Sequence, residues 1–240
     1  MHSLPSHLKI IAALSFILIV VSTPVTKWGA FVAYFLWLFV VVRIAQIPYG
    51  TLFKRALIEI PFIFFAILMP FFGSGETIQV GPFELYREGL IAGAGIVVKG
   101  TLGVMTAIIL STSTTAREIL RGLERLRLPA LMVQIASFML RYVNVVNDEM
   151  ERMKIARESR GFEATGMKSW KVLATAAGAL FIRSYERGER VHLSMLSRGY
   201  EGVLPQEHQH KIKGSIWLKA MIYPIVAALI FIAQLLIGRM

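Results

Sequence analysis

Between Leu90 and Leu110 the chain runs for 21 residues with a single charge, Lys99. At about 1.5 Å per residue, that length suits a helix crossing the roughly 30 Å hydrocarbon layer of a bilayer. Hydrocarbon offers no water to backbone N–H and C=O groups, so such a run must satisfy them internally, as a helix does. Four more segments carry the same signature. They are Leu8 to Val21, which stops at Thr23-Pro24, the aromatic-rich Trp28 to Val42, Ala56 to Phe72, ended by the turn signal "GSGE", and Ile216 to Ile237. The pattern predicts an all-α integral membrane protein with about five transmembrane helices. In the Leu90–Leu110 span, Gly93, Gly95, Gly100 and Gly103 are spaced to let neighbouring helices approach closely.

Composition agrees with this reading. Of 240 residues, 55% are hydrophobic and only 17% charged, where a soluble domain carries about a quarter. The net charge of +11 does not point to nucleic acid, because the basic residues flank apolar spans, where Lys and Arg hold loops on the cytoplasmic side. With no cysteine, disulfides, thiolate metal sites and cysteine nucleophiles are excluded. The first apolar run lacks a small-residue cleavage site and reads as a retained span.

Loop charges set the expected orientation. Arg43, Lys54 and Arg55 mark a cytoplasmic loop, whereas Gly73 to Gly89 carries Glu76, Glu84 and Glu88 against Arg87 and suits the outside. The stretch from Ser111 to Ser215 is then cytoplasmic, the N-terminus inside and the C-terminus outside. Three regions follow: a four-span part over 1–112, a coupling region over 113–213 and a last transmembrane helix over 214–240.

The central region opens with "TTAREILRGLERLRLP". Ile119, Leu123 and Leu126 share one helical face, Arg117, Arg121, Arg125 and Arg127 occupy the others, and Pro129 closes the segment. This is the pattern of a short amphipathic helix at a membrane surface. Two long runs follow, Ala130 to Gly161 and Ser169 to Gly199, each apolar at its start and charged toward its end. The apolar starts are shorter than a span needs, which predicts two helices rooted at the leaflet with their ends in water.

Catalytic and metal chemistry find little support. "GAGIVVKG" lacks the Gly-Lys-Ser/Thr ending of a phosphate loop and lies inside an apolar span. His2, His7, His208 and His210 lack the spacing and carboxylate support of a metal site, and His192 reads as a surface or interface residue. Glu59 and Lys99 are charges within spans, and each is the other's obvious candidate partner as an intramembrane ion pair.

The long runs end alike, in "SRGFE" (Ser159 to Glu163) and "SRGYE" (Ser197 to Glu201). Helical steps of three and four lead through Met150, Met153 and Arg157 to Arg160, and from Gly188 through Val191 and Met195 to Arg198. Gly161 and Gly199 suit helix ends, and an arginine in the last turn complements the helix dipole. Capping alone does not require the shared aromatic and glutamate. A docking role does: an apolar face fits a groove and a terminal arginine forks onto a carboxylate.

With "IARESRGF" and "MLSRGYEG", the "LRLP" turn and "RSYERGERVHLSMLSRGYEG", the chain resembles the transmembrane T component of energy-coupling factor transporters, in the cobalt-type CbiQ branch. Serine stands where the family more often has alanine before each arginine. The resemblance implies that Arg157, Ser159, Arg160, Gly161, Ser197, Arg198 and Gly199 dock two CbiO-like ABC ATPases, with Met150, Met153, Val191 and Met195 as the supporting face. Those partners would hydrolyse ATP with Mg, while a CbiM-like membrane component, with or without a CbiN-like small subunit, captures the metal. This chain would bind no cofactor, catalyse nothing itself and act as a lever in a prokaryotic cell membrane. Nickel or vitamin transport by the same scaffold, a self-sufficient permease and an integral membrane enzyme are the alternatives.

Overall fold

The computed structural model describes residues 4–46, 50, 59–72, 76–80, 83–162, 169–202 and 214–237. Its helices are α1 (Ser6–Ser22), α2 (Trp28–Ile44), α3 (Ile60–Leu68), α4 (Arg87–Ser113), α5 (Ala116–Arg125), α6 (Ala130–Glu158), α7 (Ser169–Leu196) and α8 (Gly214–Ile237). A 3-10 turn, Met69–Phe71, continues α3. The protein is an all-α membrane protein. Arg87–Ser113, Ala130–Glu158 and Ile216–Leu236 are long and apolar enough to cross a bilayer, and Ser6–Ser22, Trp28–Ile44 and Ile60–Phe71 are shorter apolar helices. Inclusion of α6 differs from the expectation that its apolar start is too short to span. Its apolar start continues without a break into the charged half, giving one helix of 29 residues. Residues 56–58 of the expected third span lie outside the described residues.

The chain divides into two compact units, Met1–Gly122 with Lys211–Met240, and Leu123–His210. In the first, α1, α2, α4 and α8 enclose a core that includes Phe16, Tyr34, Leu38 and Leu102. Phe16 meets Tyr34 edge-on at 5.9 Å and Tyr223 at 4.8 Å between ring centroids. The buried phenols are not left without partners: the Tyr34 hydroxyl is 3.2 Å from Thr23 Oγ1 and that of Tyr223 is 3.4 Å from Thr106 Oγ1. A buried hydroxyl without a partner would cost about 1–3 kcal/mol. Thr23 also donates to the Ile19 carbonyl at 2.9 Å, where α1 ends before Pro24.

Glycines on α4 set its approach to α3. A Cβ on Gly93 would lie 2.5 Å from the Ala66 carbonyl oxygen, and one on Gly89 equally close to that of Met69. A Cβ on Gly95 would meet a Val25 methyl at 2.7 Å, whereas one on Gly103 would meet nothing within 4 Å. The segment before α4, expected as a plain loop, contains two strands, β1 (Thr77–Val80) and β2 (Phe83–Tyr86). They pair antiparallel from Thr77↔Tyr86 to Val80↔Phe83. The β-branched Thr77, Ile78 and Val80 followed by Gly81-Pro82 are the local signal for this hairpin.

At the other end of α4, Lys9 Nζ donates to the Ser113 carbonyl at 2.9 Å and to Thr114 Oγ1 at 3.3 Å. A cation there satisfies a carbonyl that the helix leaves open and complements its negative end. The next helix starts with a capping box. Thr115 N–H donates to Glu118 Oε2 at 2.9 Å, and Glu118 N–H to Thr115 Oγ1 at 3.4 Å. Hydrogen bonds from Thr115, first from its backbone and then from its hydroxyl, hold the Glu118 carboxyl below the ordinary glutamate value, with smaller help from Lys9 and Arg121. Gly122 lets α5 lie against the start of α1, since a Cβ there would meet Ile10 at 2.9 Å.

Candidate functional site

Both arginine-bearing tips belong to the second unit, and their backbones close in the same way. At the first, Gly161 N–H donates to the Glu158 carbonyl at 2.9 Å and Phe162 N–H to that of Arg157 at 3.1 Å. At the second, Gly199 N–H donates to Leu196 and Tyr200 N–H to Met195, both at 3.0 Å. The two glycines have φ of +74° and +82°. This is the Schellman closure, with glycine in the left-handed region at C′ and the arginine at the C-cap. The serines also match: Ser159 Oγ donates to Ile155 O and Ser197 Oγ to Ser194 O, both at 2.9 Å. Each hydroxyl is thus satisfied by its own helix, so a serine in place of alanine adds no unmet polar group. Arg160 and Arg198 are exposed at their tips.

α6 and α7 run antiparallel. Glu149 on α6 pairs with Arg183 on α7, and further back on α6 Gln134 bonds Tyr200, beyond the end of α7. The second tip therefore lies beside the start of α6. Arg198 shares a hollow of about 320 Å³ with Phe138, Arg141 and Tyr142 of α6. Arg160 follows 19 residues after Arg141, roughly 28 Å further along a helix. The two tips occupy opposite ends of the pair.

The supporting residues divide accordingly. Val191 and Met195 are half-buried in the hollow next to Arg198. Met153 and Arg157 are half-buried near the first tip, and Met150 is exposed. Tyr200, the aromatic shared with the first motif, has a further contact: its hydroxyl accepts from Gln134, which is buried, and its ring meets His192 edge-on at 6.3 Å. Phe162, at the matching place in the first motif, has no hydroxyl to make such a bond.

The turn into α6 repeats the closure without glycine. Arg127 N–H donates to Glu124 O at 3.0 Å and Leu128 N–H to Leu123 O at 3.1 Å, with Arg127 at φ +65°. A non-glycine residue in this region carries backbone strain, and Pro129 then starts the next helix.

In the first unit, the expected Glu59–Lys99 pair does not form. Glu59 is buried and accepts from Thr101 Oγ1 at 2.8 Å, while Lys99 Nζ donates to the Val21 carbonyl at 2.7 Å. Thr101 and Lys99 are two residues apart on α4, about 200° around the helix, and they meet different partners. Among the described residues, no three His, Asp or Glu converge as a metal site. His2, His208 and His210 lie outside the described residues.

Residues 1–212 match the family described as Cobalt transport protein, CbiQ. An uncharacterised protein of Methanocaldococcus jannaschii is 31% identical over 58% of this chain and 53% of its own length. A Methanocorpusculum labreanum protein carrying the name of a fused cobalt transport protein, CbiMQ, is 29% identical over 93% of this chain and 38% of its own. The energy-coupling factor transporter transmembrane protein EcfT of Listeria innocua is 27% identical over 84% of this chain and 81% of its own. The chain thus matches about half of the first relative's length and less of the fused protein's.

Proposed function

Because the chain belongs to the CbiQ family of cobalt transport proteins, we propose that it is the transmembrane energy-coupling component of an ATP-driven cobalt importer of the energy-coupling factor type. The observation that carries this reading is the pair of like-capped arginine tips at opposite ends of the antiparallel α6 and α7. Two similar surfaces held apart suit two similar partners. Arg160 and Arg198 dock two ABC-type ATPase subunits, which bind and hydrolyse ATP with Mg. Regions 1–112 and 214–240 anchor the chain in the prokaryotic cytoplasmic membrane, and 113–213 couples on its cytoplasmic side.

A separate substrate-binding membrane component captures the ion. The apolar residues Leu131, Met132 and Met139 of α6, together with Phe181 and Ile182 of α7, stand exposed and supply faces against which such a component packs. The name of the fused relative, CbiMQ, supports a CbiM-like protein in that role. Cobalt as cargo is supported by the description of the matching family. In this division of labour the chain is a transport subunit and not a catalyst.

The test is co-purification of the chain with candidate ATPases and uptake in proteoliposomes, using Arg160→Ala, Arg198→Ala and the double variant. Each truncation is expected to weaken assembly by about 2–5 kcal/mol where the arginine becomes buried and paired. Full assembly and ATP-coupled uptake by the double variant would overturn the reading.

A further inference from the structure

The hollow beside Arg198 has features that docking of the tip alone does not use. Arg141 of α6 and Arg187, Arg190 and Arg198 of α7 or its tip all line it, with no acidic residue in the lining. None of the four makes an ion pair among the described residues. Guanidinium groups brought together without counter-charge repel one another, and the fork of each matches phosphate oxygens.

A second hollow adjoins the first. Phe138, Tyr142 and Arg187 border both. The second has a volume of about 340 Å³ and is walled by Ile135, Met139, Val145, Val146 and Leu180. At its far side Glu149 and Arg183 neutralise each other. The adjoining hollows form a groove surface with an apolar stretch beside a cluster of unpaired positive charge. It lies on α6, a helix apolar and long enough to cross a bilayer and little buried within the protein.

We infer that this groove binds an anionic phospholipid, with the headgroup phosphate on Arg141, Arg187 and Arg190 and an acyl chain along Phe138, Val145 and Leu180. Charge complementarity selects the headgroup, and the adjoining apolar wall selects an amphiphile over a free anion. An acidic protein segment would match the arginines but leave the apolar stretch without a complement. This inference does not require the docking function, because it concerns the chain alone, and neither Arg141 nor Arg190 belongs to a tip motif.

The test uses the full chain purified in neutral detergent and native mass spectrometry with dioleoyl phosphatidylglycerol, dioleoyl phosphatidylcholine, inorganic phosphate and a poly-glutamate peptide. Phosphatidylglycerol is expected to bind about tenfold or more tighter than phosphatidylcholine, as several arginines each favour an anionic headgroup. Arg141→Gln with Arg190→Gln should abolish the preference, and Arg141→Lys with Arg190→Lys should keep most of it. Leu180→Asn should weaken both lipids alike. Equal binding of the two lipids, or an unchanged preference in the glutamine variant, overturns the inference. So does displacement of phosphatidylglycerol by an equal concentration of inorganic phosphate, which marks a simple anion site, or of poly-glutamate, which marks a protein-segment site.

Discussion

Gln134 Nε2 donates a hydrogen bond to the hydroxyl of Tyr200, tying the first turns of α6 to the residue just beyond the second arginine tip. The two positions are 66 residues apart in sequence, so this bond helps fix where the tip lies against its neighbour. Gln134 is buried, and its amide has little access to water in exchange.

Tyr200→Phe should therefore destabilise the second unit by about 1–3 kcal/mol, the cost of leaving a buried polar group unmet. Hydrogen exchange at residues 196–202 reads the local effect. In the Gln134→Leu background the same change should cost much less, and a double-mutant cycle measures the difference. Additive losses would mean the bond contributes nothing.

Gly161→Ala and Gly199→Ala should each loosen their tips by about 1 kcal/mol, because L-residues with a Cβ disfavour the left-handed region. Nothing lies within 4 Å of the added carbon at either site, so the effect is conformational and not steric. Asparagine, which tolerates that region better, should be milder than alanine. Amide exchange of Phe162 and Tyr200 against each wild-type tip provides the measurement.

Gly93→Ala should separate α3 from α4 at a cost of about 1–3 kcal/mol, since the new carbon would strike the Ala66 carbonyl oxygen. Gly103→Ala is the matched control. It meets open space in the same helix and should leave the thermal midpoint unchanged or raise it. Equal midpoints for the two variants would contradict this packing.

The α5 capping box should be pH-dependent with a definite sign. Thr115 depresses the Glu118 carboxyl below 4.5, so the ionised form stabilises the folded cap above that value. The contribution fades as pH falls through the depressed folded value. Glu118→Gln should remove the dependence, and amide exchange across Ala116–Arg125 at neutral and acid pH tests it.

Much of this architecture can be read from local pattern. Caps, glycines and apolar runs place α1, α2, α4 and α8, because their causes lie within a few residues. Thr23-Pro24 ends α1, and the glycine of each "SRG" closes its tip by a bond within one helical turn. The placement of α6 against α7 rests on Glu149 with Arg183 and Gln134 with Tyr200, pairs whose separation hides them from any periodicity. Glu59 shows the same limit. Its charge suggested Lys99, but helical phase aims it at Thr101, and only the packing of α3 on α4 reveals which face it meets. The short hairpin is legible in Thr77, Ile78 and Val80, although Glu84 within it and Glu76 just before it give the same segment the charge of a solvated loop.

The opposed placement of the tips bears on what kind of motion can leave them. Loads applied together at one end of a rod push it along its axis or tilt it about a distant pivot. Loads applied at the two ends of an antiparallel pair, in opposite directions, form a couple. They turn the pair about its middle, near Glu149 and Arg183, with little net thrust. If Arg160 and Arg198 receive ATPase strokes, as proposed, forces applied in that way leave the helices as torque rather than thrust.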